Sequence, residues 1–387
     1  MKIILQKNIR KFANVLVIAF LALVGLGSCE AIYEDLPECA PPPQTYTVVD
    51  FVYDYNMKHT DLLKEHIGSV YLYVFDEEGV YHIRRELHRS DMQGKVDFTM
   101  KFDTTEIVPG NTYQFVAIAQ ANHEGYQASL QTPGFTLVKE MIPGVSTIDD
   151  YQLKLDRNDD NEYDFGIVDY KDYYGHTETM MDTLWSTKPN QVQLVDIPKL
   201  DYTPTPYQQP DRVVNVEVPL MRITNSLTVK LTNSNFNENT SVDKYSMLVH
   251  FPHGNGIIDF TGNILEDKEF YYRTLRKTLE HITPETRSED DYYAIKGVFG
   301  ISRLVVDDES SLQIRDGETG ELLSEIPNFS QFLAKSFDHG FDDDQEFLDR
   351  EYDFEVEINL TADGQINYVD LSIAVLGWHK RIWFTDL

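Results

Sequence analysis

The 387-residue chain has only two cysteines, Cys29 and Cys39. A dense disulfide framework is therefore excluded, and so is a structural zinc site built on thiolates. Basic residues are also scarce: 33 Lys and Arg stand against 64 Asp and Glu, a formal charge of -31. Lys2, Lys7, Arg10 and Lys11 account for four of them at the extreme N-terminus, so the remainder is more acidic still. Such a surface repels phosphate backbones and excludes nucleic acid as a general partner. It also repels anionic membrane surfaces, so membrane attachment needs another device. Beyond the first thirty residues no apolar run approaches the roughly 20 residues of a spanning helix. No Gly-rich phosphate loop, H-E-x-x-H or G-x-S-x-G is found, which removes the commonest nucleotide-binding, metalloprotease and serine-hydrolase signatures.

The N-terminus does carry a pattern. A basic stretch, Lys2 to Lys11, precedes an uncharged apolar run, Phe12 to Gly27, and then small residues. These are the parts of a secretory signal. Its end, Leu26-Gly27-Ser28-Cys29, resembles the bacterial lipobox: an aliphatic residue, two small residues and a cysteine whose thiol takes a diacylglyceryl group. The resemblance implies that residues 1–28 are removed and that Cys29 becomes the first mature residue, S-diacylglycerylated and N-acylated. Several acyl chains at about 0.8 kcal/mol per buried CH₂ anchor a protein without a spanning helix. The competing reading is a plain signal peptide with an incidental cysteine. Glu30, Glu34, Asp35 and Glu38 follow Cys29, and resemble the acidic surface-export signal of Bacteroidota lipoproteins. With Cys29 lipidated, Cys39 has no intrachain partner.

Residues 29–45 read as a tether, because Pro41-Pro42-Pro43 favours extended polyproline and cannot join a ladder. From Tyr46 the periodicity changes to two. Strands are predicted at Tyr46–Tyr55, Ser69–Phe75 and Val80–Leu87, the last two joined by the acidic turn Asp76-Glu77-Glu78-Gly79. In Lys95–Phe102, Val96, Phe98, Met100 and Phe102 share one face, the pattern of a half-buried antiparallel strand. Val108-Pro109-Gly110-Asn111 suits a type II turn, and Tyr113, Phe115 and Ala117 follow it on one face of the next strand. Four prolines in residues 198–212 (Pro198, Pro204, Pro206 and Pro210) mark a linker between domains at 46–197 and 213–387. The second half again reads as short strands, ending in Phe354–Thr361 and Ile366–Ser372, followed by an apolar end, Ile373–Phe384. Helices are expected at Ser330–Phe337 and His59–His66. The expected fold is all-β, two antiparallel β-sandwiches in tandem.

No catalytic, cofactor-binding or metal-binding residue emerges. The stretch Asp156–Asp164 invites a calcium loop, but Asn161 stands where the loop needs Gly and Ile167 where it needs Glu. It reads as a solvated acidic loop, as do Asp342-Asp343-Asp344 and Ser288–Asp291. Carboxylate pairs arise by chance among 64 acids, and His176, His250 and His253 lack ligand spacing. Tyr170, Tyr173 and Tyr174 suit packing better than sugar stacking.

Several segments resemble one family. The run from Cys29 through Ile32-Tyr33-Glu34-Asp35-Leu36 to Cys39 is similar to the mature start of FimB-type fimbrial anchor subunits of Bacteroidales (type V pilus lipoproteins). So are Phe51–Met57, Leu72–Gly79 and the turn Pro109-Gly110-Asn111-Thr112-Tyr113, although Asn111 stands where that family more often has Lys. Beyond residue 120 the likeness thins to Asn225–Val229 and Leu376-Gly377-Trp378. The resemblance implies two transthyretin-like domains and an outer-membrane, lipid-anchored protein exposed at the cell surface. Its implied partners are fimbrial shaft subunits, joined by strand exchange, and it implies no cofactor and no enzymatic activity. The rival is a surface glycan-binding lipoprotein of the SusE-like kind, which would need an exposed platform of rings.

Overall fold

A computed structural model of the chain describes residues 45–92, 97–121, 135–155, 163–164, 169–170, 183–188, 194–199, 212–274, 276–283, 291–336, 339–373 and 378–383. The larger of its two units comprises Tyr46–Leu200 and Val213–Leu387 and is described by itself. The first part of this unit runs β1 (Thr45–Val52), β2 (Ile67–Asp76), β3 (Tyr81–His88), β4 (Thr99–Asp103), β5 (Thr112–Ala121), β6 (Phe135–Leu137), β7 (Gln152–Leu155), β8 (Tyr163–Asp164), β9 (Asp169–Tyr170), β10 (Leu184–Thr187), β11 (Leu194–Asp196) and β12 (Arg212–Arg222). Their principal sheet has the order β3-β2-β5-β10-β12-β1-β4, with β11 beside β5.

The two central strands explain their own sequences. On β2, Val70, Leu72 and Val74 face one core while Tyr73 and Phe75 face another; β5 divides Phe115 and Ala117 from Val116 and Ile118 in the same way. A strand buried on both faces reads as a continuous apolar run rather than an alternation. β4 is covered on one face only, and Phe98, Met100 and Phe102 are buried as its alternation requires. The predicted turns hold as well. Gly79 and Gly110 take φ of 77° and 93°, and Asn111 N–H donates to Val108 O, closing the type II turn.

The remaining strands are β13 (Thr224–Asn233), β14 (Tyr245–Phe251), β15 (Ile257–Asp259), β16 (Ile264–Leu265), β17 (Phe270–Arg273), β18 (Arg276–Ile282), β19 (Tyr292–Ser302), β20 (Ser311–Asp316), β21 (Leu322–Pro327), β22 (Asp353–Leu360), β23 (Ile366–Ile373) and β24 (Trp378–Trp383). They form a six-stranded sheet, β18-β19-β13-β22-β23-β24, and a four-stranded one, β17-β14-β20-β21. One core joins the two sheets: Leu227, Val229, Phe299 and Val356 from the larger meet Met247, Val249, Tyr272 and Ile314 from the smaller. The pairing of β13 with β22 is parallel, so this sheet is mixed where purely antiparallel pairing was expected.

Two placements differ from the sequence reading. β12 follows the proline-rich segment and was expected to open the second sandwich. Instead it lies between β10 and β1 in the first sheet, and Val216, Val218 and Leu220 pack into that sheet's core. Similarly, β15 pairs with β7, Ile258 opposite Leu153, to make a small sheet in the order β16-β15-β7-β6. Strand pairing therefore passes from one sheet system to the other at Ile223, between β12 and β13.

The helix expected at Ser330–Phe337 is Phe329–Ser336, burying Phe329, Leu333 and Ala334. The one expected at His59–His66 is reduced to a single turn, Leu63–His66. A helix not anticipated, Asp344–Arg350, buries Phe347 and Leu348 and starts at Asp343, whose carboxylate accepts from Gln345 N–H. Losing an N-cap acceptor typically costs about 1 kcal/mol. Asp343→Ala should lower the free energy of unfolding by that much, read as a lower urea midpoint with an unchanged dependence on urea concentration.

Candidate functional site

Cys29, the tether acids and Cys39 lie outside the described residues, as do Asp156–Glu162, Tyr173, Tyr174, His176 and residues 288–290. Where acidic segments are described, they carry structural duties. Asp343 caps a helix, Asp344 reaches His339 at 3.4 Å and Asp291 reaches His281 at 3.4 Å. His250 bonds Glu269 at 2.8 Å and stacks on Tyr271 with ring centres 4.3 Å apart; burial lowers its pKa. His253 approaches Glu309 at 3.5 Å. Among the described residues no three His, Cys, Asp or Glu are grouped to hold a metal ion, and no helix is long and apolar enough to cross a membrane.

Sheet edges are the natural docking points of a strand-built protein, since unpaired N–H and C=O groups accept a further strand. Here several edges are tied down. β3 and β4 end the same sheet, yet Arg85 of β3 donates to the Lys101 carbonyl of β4. Its guanidinium covers the Phe102 ring at 4.4 Å and also pairs with Glu106. On β21, Gln365 Nε2 donates to Leu323 O at 2.7 Å. β18 is guarded by charge: Lys277 pairs with Asp243 at 2.7 Å, and Glu280 with Lys296 of β19 at 3.3 Å.

The large apolar side chains left exposed among the described residues are all aliphatic; Val138, Ile142 and Val145 are three of them, Val145 the most open at 70%. The last two flank a rigid turn in which Val145 N–H donates to Ile142 O and Gly144 takes φ of 72°. No large ring is exposed among the residues whose side chains are described, a set that leaves out Trp378 and Trp383.

Two buried polar assemblies were not visible in the sequence. In the first, Glu351 is fully buried. One carboxylate oxygen accepts from the N–H groups of Tyr352 and Asp353, both at 3.0 Å, and the other has no hydrogen-bond partner. Burial raises its pKa to about 7, the N–H donors of Asp353 and Tyr352 and, less, the nearby Arg222 offsetting only part of the desolvation. Arg222 itself stacks on the Tyr352 ring at 4.1 Å.

The second assembly floors a cleft. Arg303 forms a two-point ion pair with Asp349 at 2.7 and 2.8 Å and donates to Gly262 O at 2.7 Å. Gln345 braces it by donating to Leu304 O and Asp349 and accepting from Val306 N–H, each at 2.9 Å. Above this floor two adjoining hollows of about 520 and 440 Å³ share Val305, Asp307 and Gln345. Gly254 shapes one wall: its φ is 69°, and a Cβ there would lie 2.6 Å from Lys268 O, so no larger residue fits without displacing backbone. Because the lining comes from loops near residues 254, 264, 307 and 343, no local motif announced it.

The family model of fimbrillin-A associated anchor proteins Mfa1 and Mfa2 matches residues 36–382. None of the curated proteins matches the chain's sequence. Solved structures do match the fold. A candidate adhesin from Bacteroides thetaiotaomicron VPI-5482 is 20% identical with a TM-score of 0.63, covering 89% of this chain and 100% of its own. A candidate polysaccharide-binding protein from the same organism is 21% identical with a TM-score of 0.62, over the same shares. The fimbrial anchor protein Mfa2 from Porphyromonas gingivalis is 14% identical with a TM-score of 0.55, covering 87% and 98%. These are likenesses of fold. The family itself is one of anchor proteins rather than enzymes, and the fimbrial-anchor resemblance noted in the sequence stands. By the match over residues 36–382, the chain belongs to the Mfa2 family of fimbrillin-A associated anchor proteins.

Proposed function

We propose that this protein is an outer-membrane lipoprotein that moors a fimbria at the cell surface through acyl chains on Cys29. The observation that carries the reading is a juxtaposition. The region matching the anchor family begins at residue 36, just behind the lipobox-like Leu26-Gly27-Ser28-Cys29 and its cationic, apolar leader. Three acyl chains at about 0.8 kcal/mol per CH₂ hold a body whose own charge repels anionic lipid. Two tandem β-sandwiches would supply the post.

Shaft subunits would join by strand exchange, in which main-chain hydrogen bonds and alternating side chains give a long-lived joint. The side-chain contacts of Arg85 and Gln365 at β3, β4 and β21 support a reading in which the exchanged strand uses another edge. Cys29→Ser should move the protein from the outer-membrane fraction to the medium or periplasm while leaving its folded body intact. Retention of the variant in the membrane would refute the lipid anchor. Cross-linking on intact cells should recover fimbrial subunits with the wild-type protein, and recovery of none would refute the mooring role.

A further inference from the structure

The cleft above the Arg303–Asp349 floor has a chemistry that mooring does not use. Its lining is rich in carboxylates: Glu266 and Asp307 in the larger hollow and Asp342 in the smaller, beside Asp308, Asp343 and Asp344, which already accept from or pair with Ser310, Gln345 and His339. Arg303 adds little free positive charge, because Asp349 and Gly262 O occupy its guanidinium. Against these acceptors stands one orphan donor. Asn255, which lines the larger hollow, is only 1% exposed. Its Oδ1 accepts from the Tyr272 hydroxyl at 2.7 Å, while its Nδ2 has no hydrogen-bond partner. A buried amide N–H left without an acceptor is costly and calls for an explanation.

A metal ion or a basic side chain would satisfy the carboxylates and leave that amide unmatched. An anion would satisfy the amide and be repelled by the acids. A hydroxyl group does both at once, donating to carboxylate and accepting from amide. The hollow's size suits a ligand of one or two sugar rings, and Ile264, Leu265 and Val305 offer apolar wall to the ring faces. The wall is also closely packed: at Gly254, beside Asn255, the backbone comes too near Lys268 O for a side chain, and Gln345 is held at three points. We infer that this cleft is a binding site for a neutral, hydroxyl-rich ligand of the saccharide class, with Asn255 as donor and Asp307 as acceptor. It would give a mooring protein a second hold, on surface glycan, independent of its lipid and of its fimbrial partner.

The test uses the mature folded protein with maltose, lactose, cellobiose and mannobiose, followed by saturation-transfer NMR and calorimetry. At least one disaccharide should bind at millimolar concentration or tighter. Asn255→Asp and Asp307→Ala should each weaken that binding about tenfold, the effect of one unmatched hydrogen bond. Asp307 is only part of the lining, so its variant keeps the test open if the buried Asn255 variant fails to fold. Binding of hexalysine, abolished by salt, with no saccharide bound would overturn the inference in favour of a basic partner. Binding of no saccharide by the folded protein would overturn it outright, as would binding unchanged in Asp307→Ala and a folded Asn255→Asp. None of these results bears on membrane attachment through Cys29, so the two readings fail separately.

Discussion

Asp349→Ala should lower the free energy of unfolding by about 3–5 kcal/mol, the usual consequence of leaving one partner of a buried ion pair alone. Both side chains are nearly inaccessible, at 8% exposure for Arg303 and 6% for Asp349, so water cannot take the place of the lost carboxylate. Gln345 would lose a partner too, since its amide donates to Asp349 at 2.9 Å. The pair itself contributes much less than this figure, because desolvating two charges offsets most of their attraction. Arg303→Met combined with Asp349→Leu should therefore recover most of the loss. Urea unfolding of the wild type, the single variant and the double variant measures both effects. A loss below about 1 kcal/mol in Asp349→Ala would show that the guanidinium is not buried as described.

The second large effect depends on pH. Glu351 has its carboxyl pKa raised from 4.5 to about 7 by burial, so the folded state holds its proton more tightly than the unfolded chain does. Below pH 4.5 both states are protonated and the group is neutral to stability. As pH rises from 4.5 towards 7 the unfolded chain ionises first, and stability falls; above 7 the penalty is constant at about 3 kcal/mol. Glu351→Gln removes that titration while keeping an oxygen for the Tyr352 and Asp353 N–H groups. The variant should be more stable than the wild type at pH 8 and lose the advantage by pH 4.5. An advantage that is the same at both pH values would place the carboxylate in solvent, or fully neutralised by Arg222.

Much of the fold was legible because it is local. The alternation Phe98, Met100, Phe102 declared a one-sided strand, and Val108-Pro109-Gly110-Asn111 declared its turn. What escaped was either guarded or distant. β18 reads Arg276-Lys277-Thr278-Leu279-Glu280-His281-Ile282, charged as an edge strand should be and hence unlike a buried one. β10 is buried at all four positions, too short to show a period. The allegiance of β12 to the first sheet is a tertiary choice. So is the parallel pairing of Ser226 with Asp353, which no spacing in the sequence encodes. The residues proposed as functional divide in the same way. Cys29 is announced by four consecutive residues, whereas Asn255, Arg303 and Asp307 converge only after several loops have folded.

The mooring role rests on the covalent state of one residue. Intact-mass and N-terminal peptide mass spectrometry of the protein extracted from its own outer membrane reads that state directly. A lipid anchor requires a chain beginning at Cys29 and carrying a diacylglyceryl thioether with an amide-linked acyl chain. A chain starting elsewhere, or at Cys29 with a free thiol and a free amine, would contradict it.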